Sequence, residues 1–77
     1  MTTEHLEVDA RGLMCPLPLL RLKKALQSAN VGETVRVLAT DPAAHLDFGV
    51  FVEQAGHQQL SYSVEEEVLV FVIRKGK

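Results

Sequence analysis

The 77-residue chain has a single cysteine, no run of about 20 apolar residues and almost no charge imbalance. One cysteine excludes an intramolecular disulfide and a Cys-x-x-Cys redox pair of the thioredoxin kind. Small secreted domains are usually stapled by several disulfides, so a cytoplasmic protein with a reduced thiol is expected. Without a long apolar run, no membrane insertion is expected. The N-terminus, "MTTEHLEVDARG", carries acids where a signal peptide would carry basic residues and an apolar stretch. A formal net charge of −2 supplies no basic field, so direct nucleic-acid contact is not expected. Repeats, low-complexity tracts and linkers are absent from the sequence.

What is there reads as one domain, residues 1–77. Its 47% hydrophobic and 23% charged content is that of a globular chain and argues against disorder. A domain this small buries only about 60% of its unfolded surface, so its stability margin is narrow.

Leu6, Val8 and Ala10 alternate with Glu7 and Asp9, the period of a half-buried strand, and Gly12 punctuates its exit. From Pro16 to Ala29 the period becomes helical. Leu19, Leu22 and Leu26 recur with Leu20 and Ala29 beside them, while Arg21, Lys23, Lys24 and Gln27 can face water. Residues 30–33 form a turn, and Val35, Val37 and Ala39 alternate in a second strand over 34–39. Asp41 suits an N-cap and Pro42 the first position of a second helix running to Ala55 and stopped by Gly56. Leu46, Val50 and Phe51 are its expected inner stripe. "QQLSYSV" and "VLVFVIRK" are two further strands joined by the acidic turn Glu65 to Glu67, and the apolar run Val68 to Ile73 suits a central strand. The order βαβαββ, with right-handed crossovers, predicts an α/β two-layer sandwich: a mixed four-stranded sheet with both helices on one face.

The chemistry centres on "RGLMCPLPLL", where Cys15 precedes Pro16 and Pro18 follows two residues later. With Cys15 as N-cap, Pro16 and Pro18 occupy the first and third helical positions, where no N–H has an internal partner, so neither costs a helical bond. The thiol then lies in the positive field of the helix start, which lowers a cysteine pKa. Pro18 also removes a capping donor, leaving the Leu17 N–H to engage the sulfur. The expectation is a reactive, partly exposed thiolate. The bland alternative is a buried structural cysteine.

"GLMCPLPLL", the amphipathic helix after it, "TDPAA" and the closing "FVIRKG" together resemble the TusA/SirA-like sulfur carrier family over nearly the whole chain. The resemblance implies a small cytosolic sulfurtransferase with a βαβαββ fold. It implies that Cys15 accepts a persulfide sulfur from a cysteine desulfurase or rhodanese-type donor and passes it to an acceptor protein. Gly12, Pro16 and Pro18 would shape the loop. Downstream uses in the family include tRNA thiolation, molybdenum cofactor and sulfur oxidation. Members acting on tRNA often carry Glu between the prolines, where this chain has Leu17. No cofactor is expected beyond the covalent persulfide, and a monomer is expected. The alternatives are a redox-sensing or regulatory binding module on the same fold, and a carrier of selenium rather than sulfur.

Other constellations point elsewhere. His5, His45, His57 and Cys15 lack zinc-site spacing, so no metal is expected, and His45 and His57 read as solvated or capping residues. Asp41 reads first as a cap. If the first two strands are parallel, it also borders the sulfur, because both helix starts then share the ligand edge of the sheet. Arg21, Lys23 and Lys24 form a basic stripe that either faces solvent or, with Leu17, docks a partner. Arg74 and Lys75 are expected to tie down the C-terminus.

Overall fold

The computed structural model describes residues 6–77. Glu4 and His5 lie outside them. The elements are β1 (Leu6–Ala10), α1 (Leu17–Ser28), β2 (Thr34–Ala39), α2 (Ala43–Ala55), β3 (Gln58–Glu65) and β4 (Val68–Arg74). The sheet order is β1-β2-β4-β3. β1 and β2 run parallel, and β4 is antiparallel to both β2 and β3. The expected mixed sheet is present, with the apolar run of β4 between two partners.

One face of the sheet is packed against the helices, and the other mixes Leu38, Val70 and Val72 with charged residues. Val35, Val37 and Ala39 alternate on β2 and pair with Ile73, Phe71 and Leu69 of β4. All six are buried with Leu22 and Leu26 of α1 and Ala44, Phe48 and Val52 of α2 in a single cluster. Both helices therefore cover the same face. The other face carries charge, including the Arg36–Glu7 ion pair across β1 and β2.

The inner stripe of α2 differs from expectation. Ala44, Phe48 and Val52 are buried, Phe51 is half-buried, and Leu46 and Val50 face outward. Both sets repeat at four-residue spacing, so periodicity alone cannot choose between them. The choice follows from volume: Phe48 packs against Phe71 with ring centroids 4.6 Å apart at the sheet centre. On α1, Pro18, Leu22 and Leu26 are buried, Leu19 is half-buried and Leu20 is exposed.

The acidic turn is tighter than the sequence suggests. β3 continues through Glu65, which pairs with Val68, leaving only Glu66 and Glu67 as the loop. Both have positive φ, 51° and 68°, the left-handed pair of a two-residue hairpin that normally selects Asn and Gly. At the other end of the sheet, Lys75 donates from Nζ to the Ala29 carbonyl at 2.8 Å and exchanges backbone bonds with Gly32 and Glu33. This ties the chain end to the α1–β2 turn, as expected for Lys75.

Candidate functional site

Because β1 and β2 are parallel, the loops leaving them emerge at one edge of the sheet. The first is the Arg11–Pro16 loop carrying the cysteine; the second is the short Thr40–Pro42 turn into α2. Gly12, at φ +80°, turns the first loop toward the second, and its N–H donates to Thr40 Oγ1 at 2.9 Å. Left-handed backbone of this kind favours glycine. Three residues on, the Cys15 N–H donates to Asp41 Oδ2 at 2.7 Å. The other oxygen of Asp41 accepts from the Ala43 N–H at 3.0 Å, and the Asp41 carbonyl accepts from Ala44. One carboxylate thus fastens the cysteine loop to the start of α2. Asp41 is both cap and border of the sulfur, and these donors hold its pKa below the usual carboxylate range.

Cys15 is exposed, which removes the buried structural alternative. It does not cap α1. The helix begins at Leu17, with Pro16 in the cap position and Pro18 second rather than third. The Cys15–Pro16 peptide is cis. The Leu17 N–H, expected to engage the sulfur, donates instead to the Met14 carbonyl at 2.8 Å. Pro18 is buried in line with Leu22 and Leu26, so its ring serves the core as well as the helix start.

The sulfur faces a carboxylate. Cys15 Sγ lies 3.1 Å from Asp47 Oδ2, as donor to that oxygen. Asp47 stands on α2 one and a half turns beyond Asp41, a residue the sequence reading left out. Its hydrogen bond, then desolvation and the charges of Asp47 and Asp41, push the thiol pKa up. The expected lowering therefore does not hold. The helix field acts within the first turn, and the sulfur lies before that turn with the Asp47 carboxylate 3.1 Å away.

Exposed apolar side chains neighbour Cys15 and Asp47 in the chain. Met14 and Leu46 are each 73% exposed, and Leu17 is about half exposed beside the cysteine. A groove between the helices, lined by Leu19, Lys23, Leu46, Asp47, Val50 and Phe51, runs away from Asp47. The basic stripe is split. Arg21 and Lys24, three residues apart, share a face of α1, and the charge of Arg21 reaches Asp9 on β1. Lys23 points the other way, its Nζ 5.3 Å from the centre of the Phe51 ring.

His45 and His57 make other contacts. His45 stacks on Tyr62, centroids 4.2 Å apart and rings within 1° of parallel. His57 Nδ1 accepts from the Gly76 N–H at 3.0 Å, and burial with the charge of Lys75 lowers its pKa. Among the described residues, no three His, Cys, Asp or Glu side chains are grouped to hold a metal ion.

The comparisons with known proteins agree with this geometry. The family model described as Sulfurtransferase TusA matches residues 6–75. A sulfur carrier protein TusA of Allochromatium vinosum is 42% identical over 69 residues, covering 90% of this chain and 91% of the relative. Another of that name, from Pseudomonas syringae, is 34% identical over 73 residues, covering 95% of this chain and 87% of its own length. The crystal structure of a SirA-like protein from Desulfitobacterium hafniense superposes with a TM-score of 0.82 at 30% identity, over 94% of this chain and 99% of that one. No described helix is long and apolar enough to cross a membrane. A sequence match over almost every described residue, joined to the same fold, places the chain in the TusA family of sulfur carriers.

Proposed function

We propose that Cys15 accepts a sulfane sulfur from a cysteine desulfurase or rhodanese-type donor, holds it as a persulfide and passes it to a cysteine of an acceptor protein. The observation that supports this most is the exposure of the lone thiol at the sheet edge where both parallel strands deliver their loops. The reaction needs little else. In thiol exchange a sulfur nucleophile attacks sulfur, and rate follows thiolate fraction, leaving group and access. One cysteine suffices for a carrier, and no cofactor beyond the covalent persulfide takes part. The protein works as a stoichiometric relay, a monomer in the cytoplasm.

Partners cover the exposed apolar side chains Met14 and Leu17, close to Cys15 in the chain, and Leu46, next to Asp47. Leu17, adjacent to the thiol and half exposed, selects among acceptors, so Leu17→Glu changes which acceptor is served while loading persists. Arg21 and Lys24 steer association on one side of α1 and Lys23 on the other. Gly12, Pro16 and Pro18 set the path of the loop. End uses such as tRNA thiolation, molybdenum cofactor assembly or sulfur oxidation depend on which acceptor docks.

The test is single-turnover transfer. Protein loaded by a desulfurase and freed of donor is mixed with an acceptor thiol, and the sulfur on each is followed by mass. Movement of one sulfur from Cys15 to the acceptor supports the relay. Retention of sulfur with every acceptor thiol offered, including small ones, contradicts it.

A further inference from the structure

The reactive sulfur faces a carboxylate that, among the described residues, has no ion-pair partner. Asp47 Oδ2 accepts from Cys15 Sγ at 3.1 Å. Asp41, the second carboxylate at the site, is already engaged by the Cys15 and Ala43 N–H groups. Among the described residues the ion pairs are Arg11 with Asp9, at the start of the cysteine loop, and Arg36 with Glu7 across β1 and β2, and neither includes Asp47. Lys23 lines the groove that Asp47 enters, but its ammonium lies over the Phe51 ring. Met14 and Leu17, close to Cys15 in the chain, and Leu46, next to Asp47, are exposed apolar side chains. Such side chains exclude water once a partner covers them, and an unpaired carboxylate becomes costly there.

We propose that Asp47 holds Cys15 as a neutral thiol in the free protein, and that the site is built for sulfur donors that bring a cationic side chain to Asp47 together with their reactive sulfur. The inference rests on the reading of Cys15 as the transfer sulfur. A thiol that donates to a carboxylate keeps its proton, and the carboxylate repels any anion that approaches, a persulfide anion included. The upward push on the Cys15 pKa by Asp47 and Asp41 is the same effect. A cation that pairs with Asp47 takes the acceptor away from the S–H and cancels the field, so thiolate appears at the moment of docking.

The step then balances without an added oxidant. The Cys15 sulfur forms a bond to the terminal sulfur of the donor persulfide. The donor's own S–S bond breaks, and its electron pair leaves on the donor sulfur. The proton displaced from Cys15 ends on that donor thiolate. One thiol and one persulfide give one persulfide and one thiol.

The experiment uses the free protein and two methanethiosulfonate reagents that differ in charge, one with a trimethylammonium group and one with a sulfonate. Rates are divided by those for free cysteine at each pH, and the pH midpoint is taken with neutral iodoacetamide. The wild type is expected to favour the cationic reagent by about tenfold or more at low ionic strength, with the preference shrinking as salt screens the site. Asp47→Asn is expected to cut that preference several-fold and to move the alkylation midpoint down by about one pH unit, a tenfold change in thiolate. Asp47→Ser repeats the measurement, and thermal unfolding checks both variants. Equal rates for the two reagents on the wild type overturn the proposal, as do an unchanged midpoint and preference in folded variants. Neither outcome touches sulfur loading, so failure here is distinct from failure of the relay itself.

Discussion

Pro18→Ala separates two roles for the second proline of the Cys-Pro-Leu-Pro run. If Pro18 only shapes the start of α1, the change is nearly neutral, because the N–H it restores has no helical partner at the second position. The structure gives it a second role: Pro18 is buried in line with Leu22 and Leu26. Replacing the ring removes about two methylene equivalents from that contact, and each buried methylene is worth about 0.8 kcal/mol. The unfolded chain also regains freedom worth roughly 0.4–1 kcal/mol. The better helix propensity of Ala offsets little so close to the helix start. The expected loss is about 2 kcal/mol, which for a domain of this size lowers Tm by roughly 8–16 °C. Urea and thermal unfolding followed by circular dichroism measure it. Because no Pro18 atom bonds the sulfur, the alkylation midpoint of Cys15 should stay within about 0.3 pH units, well under the shift of roughly one unit that removing a neighbouring charge produces. A variant as stable as the wild type refutes the packing argument. A large midpoint shift with stability unchanged would return Pro18 to the chemistry.

Other predictions test the remaining assignments. Phe48→Ala should cost about 3–5 kcal/mol and Leu46→Ala under about 0.5, because only the first empties core volume; equal losses would mean that the stripe of α2 is misplaced. Glu67→Gly should stabilise by about 1 kcal/mol, seen as a higher urea midpoint at constant slope, since φ 68° strains any side chain there; a lower midpoint would refute the left-handed turn. Arg11 bonds hold Asp9 at a pKa of about 2, below its unfolded value of 3.8, so this contribution is complete above pH 3.8 and lost as pH falls toward 2. Asp9→Asn should flatten the acid limb of stability against pH across that window, and an unchanged limb would show the ion pair to be ineffective.

Most of the architecture could be read from periodicity and punctuation. The alternation of Val35, Val37 and Ala39, the unbroken run of β4 and the stop at Gly56 each have one physical reading. The errors have physical causes as well. Leu46–Val50 and Phe48–Val52 are both spaced four apart, so the α2 stripe needed the position of Phe71. Glu66 and Glu67 carry no turn signature, so the hairpin looked longer than it is. Counting prolines makes Cys15 the helix cap, but the chain turns at Met14 and Pro16 and starts the helix one residue later than that, at Leu17. Asp41 could be placed at the sheet edge by arguing from parallel strands. Asp47 could not, because its approach to the sulfur depends on how α2 lies against the cysteine loop across 32 residues of sequence. That missed contact reverses the expected direction of the thiol pKa.

The central claim is that Cys15 carries sulfur, and intact mass after incubation with a cysteine desulfurase and cysteine tests it most directly. The account predicts a gain of one sulfur, reversed by a thiol reductant, mapped to the peptide containing Cys15 and absent from Cys15→Ser. A protein that stays unmodified with desulfurase and rhodanese-type donors alike, or a gain that survives Cys15→Ser, would contradict it.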